Sequence, residues 1–241
     1  MGLLPDRWNP VLRGDLRVRS GSRKLWALQG VYLGILGVLV FLGLPPELGR
    51  IAESHEPSLY IAVLWVQVVI VTYLASASAV QEIAVEGEKA PVDLLYAPFS
   101  PRTIVAGKSL ATLATIAFWV LLGLPLLVLA MVIRQVPAGA LVPVAALVAV
   151  MAWGIAQLGL LLSIVCEAEF SRTLAHWAML AVVFIGTGSL PPPVRVLNPI
   201  VATTAAAAGA FPLETLLSYG LLGLACAAGA YVRLSSMVAV S

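Results

Sequence analysis

Six runs of mostly apolar residues, each about as long as a bilayer core is thick, leave this chain one kind of solvent. They cover residues 25–44, 58–80, 101–133, 140–165, 174–190 and 213–232. A helix crosses the hydrocarbon core with about 20 apolar residues. In lipid every backbone N–H and C=O must be satisfied within the protein, so such runs fold as helices. The charged content agrees: 11% of residues are charged, against about 25% in a soluble domain. The expected fold class is an all-α polytopic membrane protein with six transmembrane helices. The third run is too long for one vertical crossing, so its first turns are expected at the interface or in the cytoplasm. The fifth is short and stops at Pro191-Pro192-Pro193, because proline cannot continue a helix. The first lacks a small-residue cleavage pattern before Pro45-Pro46 and reads as a retained span rather than a signal peptide.

Lys and Arg orient the spans. With the N-terminus inside, the inner segments hold Arg7, Arg13, Arg17, Arg19, Arg23, Lys24, Lys89, Arg102, Lys108, Arg172 and Arg233, and the outer ones only Arg50, Arg134 and Arg195. That excess predicts cytoplasmic termini and a chain in the cell (inner) membrane. The organisation expected is a cytoplasmic N-terminus (1–24), a transmembrane domain (25–232) and a cytoplasmic tail (233–241).

Three pieces do not span. Residues 9–24 place Leu12 and Leu16 one turn apart, with Arg13, Arg17 and Arg23 towards another face. This suits an interfacial helix resting on anionic headgroups. Residues 81–108 are charged and broken by proline: Glu82, Glu86, Glu88, Lys89 and Asp93 lie within twelve residues. At about 3 kcal/mol per charge at a bilayer centre, this stretch belongs in water or against a partner. Glu82, Glu86, Lys89 and Asp93 share one helical stripe. Pro91 then starts a second short helix whose apolar side is Val92, Leu94 and Leu95. Ser100-Pro101 reads as an N-cap and first-turn proline opening the third long helix. Residues 191–212 are apolar although outside, and a short helix over 200–210 is expected to dip into the outer leaflet.

Catalytic signals fail on inspection. Gly107-Lys108-Ser109 ends like a phosphate loop, but Arg102 stands where the first glycine belongs and no strand precedes it. Ser189 and His176 lie thirteen residues apart on one helix-length segment, about 20 Å at 1.5 Å per residue, which is too far for a nucleophile and its base. Two cysteines and two histidines suggest neither a disulfide framework nor a metal centre. The spans carry almost no charge near their middles, which argues against an ion-coupled transporter. Gln67, Thr72, Ser76, Ser78, Thr112, Thr115, Gln157 and Ser163 are expected mainly as helix–helix hydrogen-bonding partners. Ala75, Ser78, Ala79, Gly154 and Gly159 offer small packing surfaces.

With these spans and insert, the chain resembles the membrane subunits of ABC transporters of the type-2 export family. Asn9-Pro10-Val11-Leu12-Arg13-Gly14-Asp15-Leu16-Arg17-Val18-Arg19 is similar to the family's opening run. Ile83, Glu86, Glu88, Lys89, Asp93, Leu94 and Leu95 match its segment after span two. Pro98, Ser100, Pro101, Ile104, Gly107 and Lys108 match the one that follows. Ala90-Pro91 replaces the usual Gly-Thr, and nothing beyond residue 140 matches.

The resemblance implies a permease that forms the translocation path with a second copy or a paralogue. An interfacial helix would contain Arg13, Leu16 and Arg17. A coupling helix over 91–97, with Glu86, Glu88, Asp93, Leu94, Leu95 and Tyr96 as contact residues, would dock in a separate ATP-binding subunit. ATP and Mg would sit in that partner, with no catalytic site or cofactor in this chain. Membrane lipids are the other expected contact, and no nucleic acid. The alternative is a non-transporting membrane scaffold that recruits a soluble cytoplasmic partner through the same insert.

Overall fold

The computed structural model describes residues 9, 11–12, 14–16, 23–44, 58–89, 100–133, 136–166, 168–192 and 194–240, with the backbone alone at 24–25, 58, 81–89 and 238–240. Seven α-helices of eight residues or more follow one another among them: α1 (Arg23–Leu42), α2 (Ser58–Lys89), α3 (Pro101–Ile133), α4 (Leu141–Val165), α5 (Glu169–Ala181), α6 (Pro199–Ala207) and α7 (Leu213–Val240). Among the described residues there is no strand. Past Ala181, α5 continues as a π-turn (Val182–Gly186) and a 3-10 turn (Thr187–Ser189). Five of these helical stretches are long and apolar enough to cross a membrane, and Trp26–Leu42 is a shorter apolar helix. The chain is thus an all-α, multi-pass membrane protein.

The bundle forms around α4. Its buried side chains face every direction, from Val144 and Leu147 to Leu160 and Ser163, and it packs chiefly against α2 and α7. Small residues set those distances. At Gly159 a Cβ would lie 3.0 Å from the Ser76 carbonyl oxygen and 3.6 Å from the Ala79 Cβ. At Gly154 it would press on the Tyr219 backbone. Close backbone approach supplies the dispersion contact that holds helices together where lipid removes the hydrophobic drive. By contrast α1 is peripheral: Tyr32, Leu36 and Val40 are buried, while Trp26, Val38 and Phe41 face outwards. Apolar surface of that kind is what a helix presents to lipid.

Proline and cap chemistry mark helix starts where expected. Ser100 Oγ accepts a hydrogen bond from the Thr103 N–H at 3.3 Å, and Pro101 opens α3. Asn198 caps α6, accepting from the N–H groups of Ile200 and Val201, with Pro199 in the first turn. Gly209, at φ +88, follows the last turn of α6 in the left-handed conformation that ends many helices.

Helix ends away from proline differ from the apolar boundaries. The helix in the second run continues from residue 80 to Lys89, the fifth begins at Glu169 rather than 174, and the last reaches Val240 rather than 232. The physical reason is that helix propagation adds one bond per residue and does not require lipid. A hydropathy boundary therefore marks where solvent changes, not where hydrogen bonding ends. The short helix expected over 200–210 is Pro199–Ala207.

Candidate functional site

The chemistry-bearing residues gather where α3 begins. Asn9 Oδ1 accepts from the Val11 N–H at 3.0 Å, an Asx turn that fixes the start of the N-terminal segment. Its Nδ2 donates to the Thr103 carbonyl at 2.7 Å. Residues 11–12 and 14–16 are helical, and Leu12 is buried. Gly107 provides the seat: a Cβ there would lie 2.8 Å from the Val11 Cβ and 2.9 Å from Asn9 Oδ1. One residue on, Lys108 Nζ donates to Asp15 Oδ1 at 3.0 Å. The Lys108 side chain is 4% exposed and that of Asp15 18%. Asp15 Oδ2 makes no hydrogen bond. An ammonium so buried is tolerated only with an ionic partner, so the pair requires the N-terminal segment to lie on α3.

A signal for this contact exists in the sequence. Ile104, Lys108, Ala111 and Thr112 share the buried stripe of α3, and a lysine on such a stripe must find a carboxylate. Buried cations also occur at Arg172, whose Nη1 donates to the Cys166 carbonyl at 3.4 Å and caps the end of α4. The expectation of uncharged span interiors therefore applies to the middles of the spans and not to this end of the bundle. Arg102 is tied in differently: its guanidinium carbon lies 5.8 Å from the centre of the Tyr231 ring of α7, a cation–π distance.

A second node joins α2 to α5. His176 does not pair with Ser189. Its Nε2 lies 2.9 Å from Ser76 Oγ, and its ring sits in a cluster with Tyr73 and Trp177, each centroid 6.0 Å away. The one hydroxyl proton of Ser76 has two acceptors in reach, His176 Nε2 and the Tyr73 carbonyl at 3.1 Å. With either partner, the Ser76–His176 contact is a hydrogen bond that ties α2 to α5.

The other polar span residues need a correction. Gln67 also reaches across, to the Val120 carbonyl at 3.4 Å. Ser78, Thr112, Thr115 and Ser163 instead donate to carbonyls three or four residues back on their own helices, because a short hydroxyl side chain finds that acceptor first. Thr72 Oγ1 and both amide atoms of Gln157 are buried without a hydrogen bond.

At the opposite end of the bundle, Asn198 Nδ2 donates to the Phe184 carbonyl at 2.8 Å and to Thr187 Oγ1 at 3.2 Å. Thr215 Oγ1 and the Tyr219 hydroxyl donate to the carbonyls of Val196 and Leu197, each at 2.8 Å, and Trp65 Nε1 donates to Thr204 Oγ1 at 2.8 Å. The 194–207 segment is thus anchored to α2, α5 and α7.

Of the residues expected to contact an ATPase, Glu86 and Glu88 lie on the backbone of α2, while Asp93, Leu94, Leu95 and Tyr96 lie outside the described residues. So do Arg13 and Arg17 of the expected interfacial helix; Leu16 is helical and half-buried. Among the described residues no three His, Cys, Asp or Glu side chains are grouped to hold a metal. No protein-family model matches the chain, and no curated protein matches it.

Proposed function

We propose that this chain is the membrane-spanning permease subunit of an ATP-driven exporter of the ABC type-2 kind. It would have six spans, work as a dimer with a second copy or paralogue, and be driven by separate ATP-binding subunits. The observation that carries the reading is the clasp of Asn9, Val11 and Asp15 onto Thr103, Gly107 and Lys108. Two of the segments on which the resemblance rests are far apart in sequence and packed together in space. The clasp also sits at the end of the bundle from which α2 leads into the charged stretch 81–99.

In this reading that end is cytoplasmic and faces an ATPase. Leu94 and Leu95 are the docking residues, since burying one leucine is worth about 1.5–3 kcal/mol and the flanking charges can pair at a rim. ATP-driven closure of the ATPases pushes the 81–100 loop, and the clasp passes that push to the N-terminal segment and to α3 together. The test is co-purification of the chain with a candidate ABC ATPase subunit, with and without Leu94→Asp plus Leu95→Asp. The reading expects the ATPase to be lost while the helical content of the chain is unchanged. Retention of the ATPase by the double variant overturns the docking assignment, and absence of ATPase binding by the unmodified chain overturns the permease reading.

A further inference from the structure

Three-quarters of the way along α3, Pro125 lies inside a 33-residue helix. Proline offers no N–H to the carbonyl four residues back, Leu121, and its ring crowds that carbonyl. The ladder is therefore weakest in the turn before it, where the Leu121 carbonyl loses its helical donor. Two neighbouring helices donate to the carbonyls just before that one. The Tyr32 hydroxyl of α1 donates to the Trp119 carbonyl at 3.3 Å, and Gln67 Nε2 of α2 donates to the Val120 carbonyl at 3.4 Å. Gly123 admits them: a Cβ there would collide with the Tyr32 hydroxyl and lie 3.1 Å from Gln67 Nε2. Both side chains are buried, and Gln67 Oε1 has no hydrogen bond. A small gap adjoins the Gln67–Val120 contact. Gln67, Val120, Leu124, Leu127, Val144 and Val148 line a small cleft between α2, α3 and α4.

From this arrangement we infer that α3 hinges at Gly123–Pro125, with Tyr32 and Gln67 as a releasable clamp. The long arm from Pro101 to Leu122 carries the Lys108–Asp15 clasp and swings; the short arm from Leu126 to Ile133 stays with the bundle. The clamp bonds are long, and each binds a carbonyl rather than a side chain, so both can part without stranding a charge. From Pro125 to Leu110 the lever is about 20 Å at 1.5 Å per residue, so a ten-degree bend moves Leu110 by about 3 Å. The hinge holds whether or not an ATPase drives it.

The test uses the full chain in lipid nanodiscs, with Cys166→Ser and Cys226→Ala, and spin labels on exposed positions. One pair, Leu110→Cys with Phe170→Cys, spans the swinging half. The other, Leu129→Cys with Leu217→Cys, lies above the hinge. Tyr32→Phe with Gln67→Leu is expected to broaden or shift the first distance by about 3 Å and leave the second unchanged. Pro125→Ala is expected to narrow the first. Equal effects on both pairs, or none on the first, overturn the hinge. Hydrogen exchange on the unsubstituted chain gives an independent readout. The amides of residues 122–124 and 126 are expected to exchange several-fold faster than those of 113–117 on the same helix, and equal protection overturns the inference.

Discussion

Lys108 and Asp15 are 93 residues apart in sequence and 3.0 Å apart in space, and their burial is unequal. The lysine is almost fully enclosed, while the aspartate keeps some contact with solvent. The two halves of the pair are therefore not interchangeable. Removing Asp15 leaves a buried ammonium without its carboxylate. Removing Lys108 leaves a carboxylate on a partly exposed side chain, although its Oδ2 is itself buried without a hydrogen bond. Asp15→Ala should destabilise the chain by about 3 kcal/mol, the lower end of the range for breaking a buried pair. Lys108→Met keeps an apolar stem of similar length and should cost about 1 kcal/mol. Combining Asp15→Asn with Lys108→Met should cost less than Asp15→Ala alone. Thermal unfolding in a single detergent compares the variants, and a larger loss for Lys108→Met than for Asp15→Ala would contradict the burial argument.

Gly107 makes the same contact testable without charge. A methyl group there would stand within 3 Å of Val11 Cβ and Asn9 Oδ1, and Asn9 cannot retreat without losing its bond to Thr103. Gly107→Ala should lift the N-terminal segment, at about 1–3 kcal/mol for an overpacked contact. The readout is limited proteolysis. Cleavage within the first 24 residues should accelerate while the helical bundle stays intact.

The Ser76–His176 pair gives a sign that separates a structural from a catalytic role. Ser76→Ala removes the hydroxyl and leaves His176 Nε2 buried and unpaired, at about 1–2 kcal/mol. Adding His176→Phe removes that polar group and keeps a ring beside Tyr73 and Trp177, so the double variant should regain part of the loss. Fluorophosphonate should not label Ser76, which is fully buried. Labelling abolished by His176→Phe would show a base acting on the serine.

Which of these features could be read from the sequence follows from the range of the forces behind them. The span bounded by Ser100-Pro101 and Ile133 was legible to the residue, because a cap, a proline and a run of apolar side chains act locally. The extension of α2 through Glu82 and Glu86 to Lys89 was legible in the spacing of those charges and not in hydropathy, since a helix persists from lipid into water. The fate of the hydroxyls was half legible: Ser78 and Ser163 turned back to their own helices, whereas Ser76 met a histidine 100 residues away. The clasp was written in Asn9, Asp15, Gly107 and Lys108, but nothing local says that these residues meet. Only the burial of Lys108 on an apolar stripe of α3 pointed to a distant carboxylate.

Gln157 is wholly buried on the central helix, and neither amide atom has a hydrogen bond. An unpaired buried amide destabilises the state that holds it. Gln157→Met, close in shape and free of the amide, should raise stability by about 1–2 kcal/mol, read as a higher unfolding temperature. A fall would show that the amide is paired in the membrane-embedded protein.

Asn198 combines two jobs in one side chain, and a graded pair of substitutions separates them. Its oxygen caps α6 through Ile200 and Val201. Its nitrogen holds the Phe184 carbonyl and Thr187. Asn198→Asp keeps the cap but replaces the donor with a carboxylate facing carbonyl oxygens, which is repulsive. Asn198→Ser keeps a cap and fits the space without that repulsion. Loss of an N-cap costs about 1 kcal/mol, and a buried carbonyl stripped of its donor costs about 1–3 kcal/mol more. Asn198→Asp should therefore be the worse of the two despite its better cap. Hydrogen exchange over 194–207 is the direct measurement. Protection should fall most in Asn198→Asp and less in Asn198→Ser, with α4 unaffected in both. The reverse order would place the stabilising role in the cap rather than in the link to the π-turn.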